Sequence, residues 1–100
     1  MSVAKKTARK ILANCPPHES FWVNNGPIIK NLMELYRELK NMGEDTFRHH
    51  VNKEKNDFSK WIKDCLGDGS LATQIKKTKS KRIATGKVRT RLQQLKKVAS

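Results

Sequence analysis

All nine Asp and Glu residues of this 100-residue chain lie between Glu19 and Asp68, so both ends of the chain are purely cationic. Residues 1–18 carry four Lys and Arg side chains, residues 73–100 carry ten, and neither segment holds an acid. Residues 19–72 hold eight basic side chains against the nine acids and are therefore close to neutral. A like-charged segment repels itself and gains free energy by meeting a polyanion. The pattern therefore predicts a neutral body with two basic arms.

Length and composition limit the class of protein further. A chain of this size forms one domain with a small core, and its net charge of +13 makes it strongly basic. The longest apolar runs are a few residues, so we expect no membrane span. No apolar stretch follows the N-terminal lysines, which predicts that there is no secretory signal. Two cysteines cannot supply a disulfide framework, so we expect reduced thiols in a cytoplasmic protein.

Apolar residues recur at helical spacing along most of the chain, which predicts a mainly α fold in a compact small helical domain. The spacing predicts helices over residues 3–13, 30–42 and 54–66, the last with the densest apolar stripe in the sequence. Between the first two, the turn residues Asn24-Asn25-Gly26 separate two short β-prone runs. They predict a short β-hairpin near residues 21–29, which would need helices to cover it.

Cap residues predict where several helices begin and end. Gly43 and Gly67 are expected to end the second and third of these helices. Asp45 is the predicted N-cap of a short helix that carries Phe47. Ser70 is the predicted N-cap of a further turn or more of helix.

The last quarter of the chain changes character. Residues 76–82 have no apolar member and are expected to form a linker or a solvated helix surface. Helical spacing returns over 87–99, after a break at Gly86, and predicts a basic amphipathic terminal helix. The apolar side of this helix would consist of Val88, Leu92, Leu95 and Ala99.

The predicted organisation is a basic N-terminal arm over 1–18, a helical body over 19–75 and a basic C-terminal arm over 76–100. Lys and Arg side chains neutralise phosphates and release condensed counterions, so the two arms predict a nucleic-acid partner. Phosphate contacts carry no sequence information directly, which predicts sequence-independent binding. The residues expected to make these contacts are Lys76, Lys77, Lys79, Lys81, Arg82, Lys87, Arg89, Arg91, Lys96 and Lys97, with Lys5, Lys6, Arg9 and Lys10 as a second contact.

Patterns for catalysis or metal binding are weak. His49 and His50 are adjacent, and adjacent helical residues point about 100° apart, so one is expected to pack inward and the other to face solvent. A metal site needs three or four convergent ligands, and the sequence offers Cys15, His18 and Cys65 with one of these histidines. Two prolines separate the first two ligands, and Cys65 lies on an apolar stripe where a buried thiol is the default. We therefore expect no enzyme activity, no cofactor and no metal.

Two tryptophans and a polar cluster have opposing interpretations. Trp61 lies on the apolar stripe and is expected in the core, whereas Trp22, beside the predicted turn, is the better candidate for stacking on an exposed base. Asn52, Asn56 and Asp57 lie between two apolar helices. Helix capping is their expected role, and a polar contact with a partner is the alternative. Neither basic arm contains an aromatic residue, so the arms are suited to contacts with the charged nucleic-acid backbone and not to stacking on single-stranded bases.

A series of short motifs runs through the predicted body: Phe47-Arg48-His49-His50-Val51-Asn52, Lys55-Asn56-Asp57-Phe58, Trp61-Ile62, Leu66-Gly67-Asp68 and Leu71-Ala72. They follow an aromatic pair at Phe21-Trp22, a turn glycine at Gly26 and a leucine-rich helix over 32–39. Over about residues 20–75 this order resembles a small domain family of unknown function, widespread in archaea and found in some bacteria. The resemblance implies a compact, mainly helical module fused to varied partners. That arrangement favours binding over chemistry, and it supplies no catalytic residues.

The favoured hypothesis is a DNA-binding protein of nucleoid or chromatin type, associated with the nucleoid. The alternative is an RNA-binding, ribosome-associated or other ribonucleoprotein subunit, because such proteins also join a small globule to basic extensions. A second alternative is a protein-interaction module, in which the C-terminal helix docks into a groove or joins two copies of the chain. Deletion of the residues after Gln74 is expected to remove most of the salt-dependent binding and to leave the body folded.

Overall fold

Six α-helices and one two-stranded antiparallel sheet make up the fold that the computed structural model describes for residues 3–100. The Cα radius of gyration is 12.7 Å, close to the value of about 13 Å for a compact domain of this length. The predicted fold class, a mainly α domain with a short hairpin, is confirmed. Residues 1 and 2 of the predicted N-terminal arm lie outside the described residues. The elements are α1 (Lys5–Leu12), β1 (Phe21–Trp22), β2 (Ile28–Ile29), α2 (Leu32–Asn41), α3 (Glu44–His50), α4 (Asp57–Trp61), α5 (Gly69–Lys76) and α6 (Lys81–Ala99), with a 3-10 turn at Pro17–Glu19 and a π-helical turn at Ile62–Leu66 that continues α4.

Side-chain caps begin four of the helices. Side-chain oxygens of Asn31, Asn56, Asp68 and Ser80 each accept a hydrogen bond from a backbone N–H three residues further along the chain. A cap of this kind stabilises a helix start by about 1 kcal/mol. The sequence predicted Ser70 as the cap of α5, but the structure has Asp68 in this position. The buried Asp68 carboxylate is fixed by further hydrogen bonds, which makes it the better cap.

Two other predicted boundaries move by a few residues. The N-cap of α3 is Gly43, and the predicted cap Asp45 lies inside the first turn, where a carboxylate stabilises the positive end of the helix dipole. The helix predicted from residue 54 begins at Asp57, because Asn56 caps it and also pairs with Val51 in an isolated β-bridge. Gly67 has a φ of 77°, the left-handed conformation that favours glycine, and ends the π-helical turn as predicted.

The hairpin has the predicted turn and a simple alternation of faces. Phe21 pairs with Ile29 and both are buried, while Trp22 pairs with Ile28 and both face solvent. This alternation follows from the two-residue period of a strand. In the turn, a Cβ atom on Gly26 would lie 2.8 Å from the Cγ1 atom of Val23, so the close approach requires glycine.

An aromatic cluster joins the hairpin to α3 and α4. The ring of Phe21 lies 5.1 Å from that of Phe58 and 5.7 Å from that of Trp61, measured between centroids. The ring of Phe47 also packs against that of Phe58, with the centroids 5.9 Å apart. The indole N–H of Trp61 donates to the carbonyl of Glu19 at 2.7 Å, so the polar atom of this buried side chain is satisfied. Trp61 is therefore a core residue, as predicted.

The C-terminal helix differs most from the prediction. α6 begins at Lys81 and not at Lys87, because Ser80 caps it and Ala84 extends its buried stripe by one turn. Gly86, the predicted break, lies inside the helix on its exposed side. An interior glycine costs about 1 kcal/mol, less than the burial of a single large apolar side chain contributes. The apolar residues of α6 that are buried are Ala84, Val88, Leu92 and Leu95.

Both basic segments contribute to the core of the domain. α6 packs against α1 and α2, and α1 places Ala8 and Ile11 in the same apolar cluster as the buried side of α6. Burial of one Ile or Leu contributes about 1.5–3 kcal/mol, whereas two exposed charges 4 Å apart repel by about 1 kcal/mol in water. The apolar faces therefore hold the two like-charged segments together. Deletion after Gln74 would remove five buried core residues, Ile75 of α5 and the four of α6. Their place in the core argues against the expectation that the body stays folded without this segment.

Candidate nucleic-acid interface

Most of the cations expected to contact phosphate are on the surface. Of the fourteen predicted residues, twelve are exposed, and Lys81 and Arg91 are partly buried. Within residues 3–100, Arg91 is the member of this set that forms an ion pair with a carboxylate. Thirteen of the fourteen charges are thus not neutralised by an ion pair in the described part of the chain. The exposed ones are Lys5, Lys6, Arg9, Lys10, Lys76, Lys77, Lys79, Arg82, Lys87, Arg89, Lys96 and Lys97.

Arg91 has a structural partner, and its predicted role needs correction. Its guanidinium donates two hydrogen bonds to the carboxylate of Asp68, from Nε at 2.7 Å and from Nη2 at 3.0 Å. The Asp68 residue is 2 % exposed, and the Arg91 side chain is 13 % exposed. A buried carboxylate needs such a partner, so this arginine joins α6 to the start of α5, and its charge is neutralised by Asp68.

α1 and the last turn of α6 meet at Arg9. The Nε–H of Arg9 donates to the carbonyl of Ala99 at 3.1 Å, where a cation also stabilises the negative end of the helix dipole. The same turn of α6 carries Lys96 and Lys97. α1 has eight residues and is therefore about 12 Å long, so all its cations lie near this junction. We use the name α1–α6 surface for all the exposed cations of these two helices, whichever solvent-facing side they lie on: Lys5, Lys6, Arg9, Lys10, Arg82, Lys87, Arg89, Lys96 and Lys97.

Three cations of α6 form a straight row. Arg82, Arg89 and Lys96 are exposed and follow one another at intervals of seven residues. Seven residues make almost two full helical turns, so the three side chains leave the same side of the helix about 10 Å apart. The row lies on an exposed flank of a helix whose apolar side is fixed in the core.

A concave region of the body also carries lysines, and four of them were not among the predicted contacts: Lys53, Lys55, Lys60 and Lys63. Lys60 of α4 and Lys63 of the π-helical turn line a hollow of about 460 Å³ together with Lys76 of α5. A second hollow, of about 180 Å³, is lined by Lys53, Lys55, Lys76 and Lys79 among others. Because residues 19–72 are close to neutral on average, the charge pattern did not indicate that the lysines of this segment form a cationic region. The usable signal was the three-residue spacing of Lys60 and Lys63, which puts both on one side of a helix.

Hydrogen bonds fix the helices that border these hollows. The side chain of Asn56 accepts from the backbone N–H of Ser59 at 3.0 Å and donates to the carbonyl of Ile75 at 3.1 Å. The hydroxyl of Ser59 donates to the carbonyl of Ala72 at 2.7 Å. The capping role predicted for Asn56 is thus confirmed, and the same side chain also ties α4 to α5.

His50 is the histidine that packs inward, and His49 is exposed, as the 100° rule predicted. The Nδ1–H of His50 donates to Asp57 at 2.9 Å, and its Nε2 accepts from the backbone N–H of Asn24 at 3.0 Å. Because one ring nitrogen must accept, this arrangement holds the neutral ring. Burial lowers the pKa of His50, and the neighbouring carboxylate only partly offsets that effect.

The partner carboxylate has a low pKa for a related reason. Burial raises the pKa of Asp57, but hydrogen bonds from His50 and from the Lys55 ammonium at 3.0 Å more than compensate and lower it. Asp57 is therefore ionised at neutral pH. The His50–Asp57 pair links the hairpin, α3 and α4, so it serves the fold and not the surface.

The two cysteines are separate thiols, Cys15 buried and Cys65 half-buried. Burial raises the pKa of both thiols, so they stay protonated at neutral pH. Within residues 3–100 no three His, Cys, Asp or Glu side chains converge closely enough to hold a metal ion. Across the same residues, no helix has the length and apolar character of a membrane span.

Two hydrophobic features have different environments. Trp22 is 74 % exposed beside Ile28, at 51 %, so its indole is accessible for the stacking that the sequence suggested. The apolar side of α6 is in contrast covered by α1 and α2 of the same chain, with Val88 and Leu92 inside the core. The sequence predicted that the apolar side of the C-terminal helix could dock into a groove or join two copies of the chain. Those side chains are instead packed within the domain.

A comparison of the chain with protein-family models, with curated proteins and with solved structures gave no match in any of the three. The resemblance of residues 20–75 to a small archaeal and bacterial domain family therefore stays a prediction.

Proposed function

We propose that the chain binds nucleic acid, duplex DNA above all, through backbone phosphates and without sequence preference. One observation carries the proposal. The two acid-free segments of the sequence pack side by side, with the Arg9 guanidinium on the last turn of α6. Their cations therefore belong to one packed unit and not to two separate arms. A nucleoid-associated protein is the cellular role that this activity favours.

The chemistry of the α1–α6 surface suits phosphate better than bases. Residues 1–18 and 73–100 contain no aromatic side chain that could stack on a base. Duplex DNA presents a continuous row of charges, and the spacing of about 10 Å along α6 matches roughly three base-pair steps of about 3.4 Å. A helix fixed in the core presents its cations in a set geometry, which lowers the entropy cost of binding.

The direct test is a titration of duplex DNA with the full chain over a range of salt concentrations. If six to ten cations contact phosphate, log affinity falls against log salt with a slope of about −5 to −9. Two unrelated duplex sequences should give the same affinity. A flat salt dependence, or a strong preference for one sequence, would overturn the proposal.

A charge-removal variant assigns the binding to the α1–α6 surface. Arg82→Gln/Arg89→Gln/Lys96→Gln should reduce the magnitude of the slope by between about 2 and 3, since each phosphate contact contributes about 0.9. The control is Lys30→Gln/Arg37→Gln, which removes two exposed cations that lie beside Glu34 in a mixed-charge region. The control should keep the wild-type slope, and circular dichroism should report the same fold for both variants.

Competition separates DNA from RNA. Duplex DNA, duplex RNA and a folded RNA are added in turn to a preformed complex with labelled duplex DNA. We expect duplex DNA to compete at least as well as the RNAs. Consistently stronger competition by the folded RNA would instead assign the chain to a ribonucleoprotein particle.

A further inference from the structure

The two hollows beside α4 and α5 form one groove, which we call the lysine groove. They share Asn56 and Lys76 in their linings, so they adjoin at that point. The larger part lies between α4 with its π-helical turn and α5, and the smaller part extends to the loop between α3 and α4. The result is an elongated depression and not a single pit.

The groove is strongly cationic. Six lysines line it, against two carboxylates, those of Glu54 and Asp64. Within residues 3–100, Lys55 is the one among the six that forms an ion pair, with Asp57. Clefts lined by one sign of charge focus the electrostatic field and concentrate counter-ions. The lysines are Lys53, Lys55, Lys60, Lys63, Lys76 and Lys79.

The floor of the groove is small, polar and rigid. Ser59, Gly69 and Ala72 are among its lining residues, and their small side chains let a ligand approach the backbone closely. The hydrogen bonds that Asn56 and Ser59 make across to α5 hold the two walls at a fixed distance. None of the lining residues is aromatic, so the groove offers nothing on which a base could stack.

We infer that the lysine groove binds a phosphodiester backbone of the same nucleic acid. The inference rests on the proposed function and adds a second contact region, drawn largely from the segment that is neutral on average. An elongated cationic groove fits a chain of phosphates, whereas one phosphate would engage only part of it. Lys76 and Lys79 belong both to this groove and to the basic C-terminal segment.

A matched set of variants on α5 tests the groove by adding a positive or a negative charge inside it and, as a control, outside it. Thr73 is exposed and lines the groove, whereas Gln74 is exposed, lies outside both linings and points about 100° away. Thr73→Lys should steepen the salt slope by about 0.9 and tighten binding about fivefold at 0.15 M salt. Thr73→Glu should weaken binding by a similar factor. Gln74→Lys and Gln74→Glu carry the same charge changes and should have clearly smaller effects.

Removal of groove lysines gives the independent measurement. Lys60→Gln/Lys63→Gln removes two exposed charges that are outside the α1–α6 surface, and the salt slope should lose about 1.8 in magnitude. Suppose that the wild-type chain binds duplex with a steep slope, but that the Thr73 and the Lys60/Lys63 variants change binding no more than the Gln74 controls do. The groove inference is then overturned and the proposed function stands. If the wild-type chain does not bind duplex, the proposed function itself fails.

A small ligand with free phosphate groups would give a result different from that of a phosphodiester chain. The full chain is titrated with inorganic tripolyphosphate, and the amide signals of Ser59 and Thr73 are followed by NMR in parallel with duplex DNA. Duplex should shift these signals at lower concentration than tripolyphosphate does. Saturable binding of tripolyphosphate that depends on Lys60 and Lys63, without any shift on addition of duplex, would overturn the phosphodiester assignment.

Discussion

The α1–α6 surface and the lysine groove are both cationic, but the sequence encodes them differently. On the α1–α6 surface the charge is visible as two acid-free segments. The lysine groove draws four of its six lysines from residues 19–72, where acids outnumber bases. Acids of that segment gather elsewhere, such as Glu34 and Glu38 in a hollow beside β2. The average charge of a segment therefore does not predict the charge of the faces that it forms.

The largest expected effect tests whether the basic segments are separable from the body. Deletion of residues 75–100 removes all four buried residues of α6 and should abolish cooperative thermal unfolding. The loss follows because α6 covers apolar surface of α1 and α2. Thermal circular dichroism is the measurement. A truncated chain that still melts cooperatively near the wild-type temperature would show that the body is independent of its basic C-terminal segment.

Two arginines of α6 sharpen the distinction between structural and binding cations. Arg91→Gln leaves the buried Asp68 carboxylate without its bidentate partner and should cost about 3–5 kcal/mol of unfolding free energy. Arg89→Gln, on the exposed side of the same helix, should change stability by less than about 0.5 kcal/mol. Urea denaturation measures both. Salt-dependent binding should show the reverse order, with Arg89→Gln the weaker binder of the two at temperatures where both are folded.

The buried histidine links stability to pH. Because the pKa of His50 is lowered in the folded state, the unfolded chain binds a proton more readily, so stability falls as pH drops below about 6.5, the ordinary histidine pKa. Above that pH both states hold the neutral ring and this contribution is constant. Unfolding free energies measured from pH 8 to pH 5 should show the decline. In His50→Gln, a less stable variant, the decline over this range should be smaller.

The smallest expected effect concerns the exposed tryptophan. Trp22→Ala should change stability by less than about 0.5 kcal/mol, since the side chain is 74 % exposed. It should leave duplex binding unchanged, because phosphate contacts do not involve it. Fluorescence titration with single-stranded DNA provides the contrast. A loss of about 1–3 kcal/mol there would assign a stacking role to Trp22 and add a third contact to the two basic surfaces.

Local signals in the sequence were sufficient for much of the fold. The Asn24-Asn25-Gly26 turn, the stop at Gly67 and the inward position of one histidine of the His49-His50 pair depend on a few neighbouring residues, and the structure has all three. Boundaries moved where two caps competed, as with Asp68 and Ser70. Of the candidate site, the exposed cations of both ends were found from charge alone. Lys60 and Lys63 were missed because only folding places them opposite Lys76.

The sequence by itself determined the helical periods, the turn and the supply of cations, because each depends on residues that are close along the chain. The tertiary structure decided that Arg91 is neutralised in the domain, since this arginine and its partner Asp68 are 23 residues apart. It also decided that the two cationic ends pack together, because burial of their apolar faces outweighs the repulsion between exposed charges. Contacts between distant residues are set by the packing of the whole domain, which a short-range pattern does not contain.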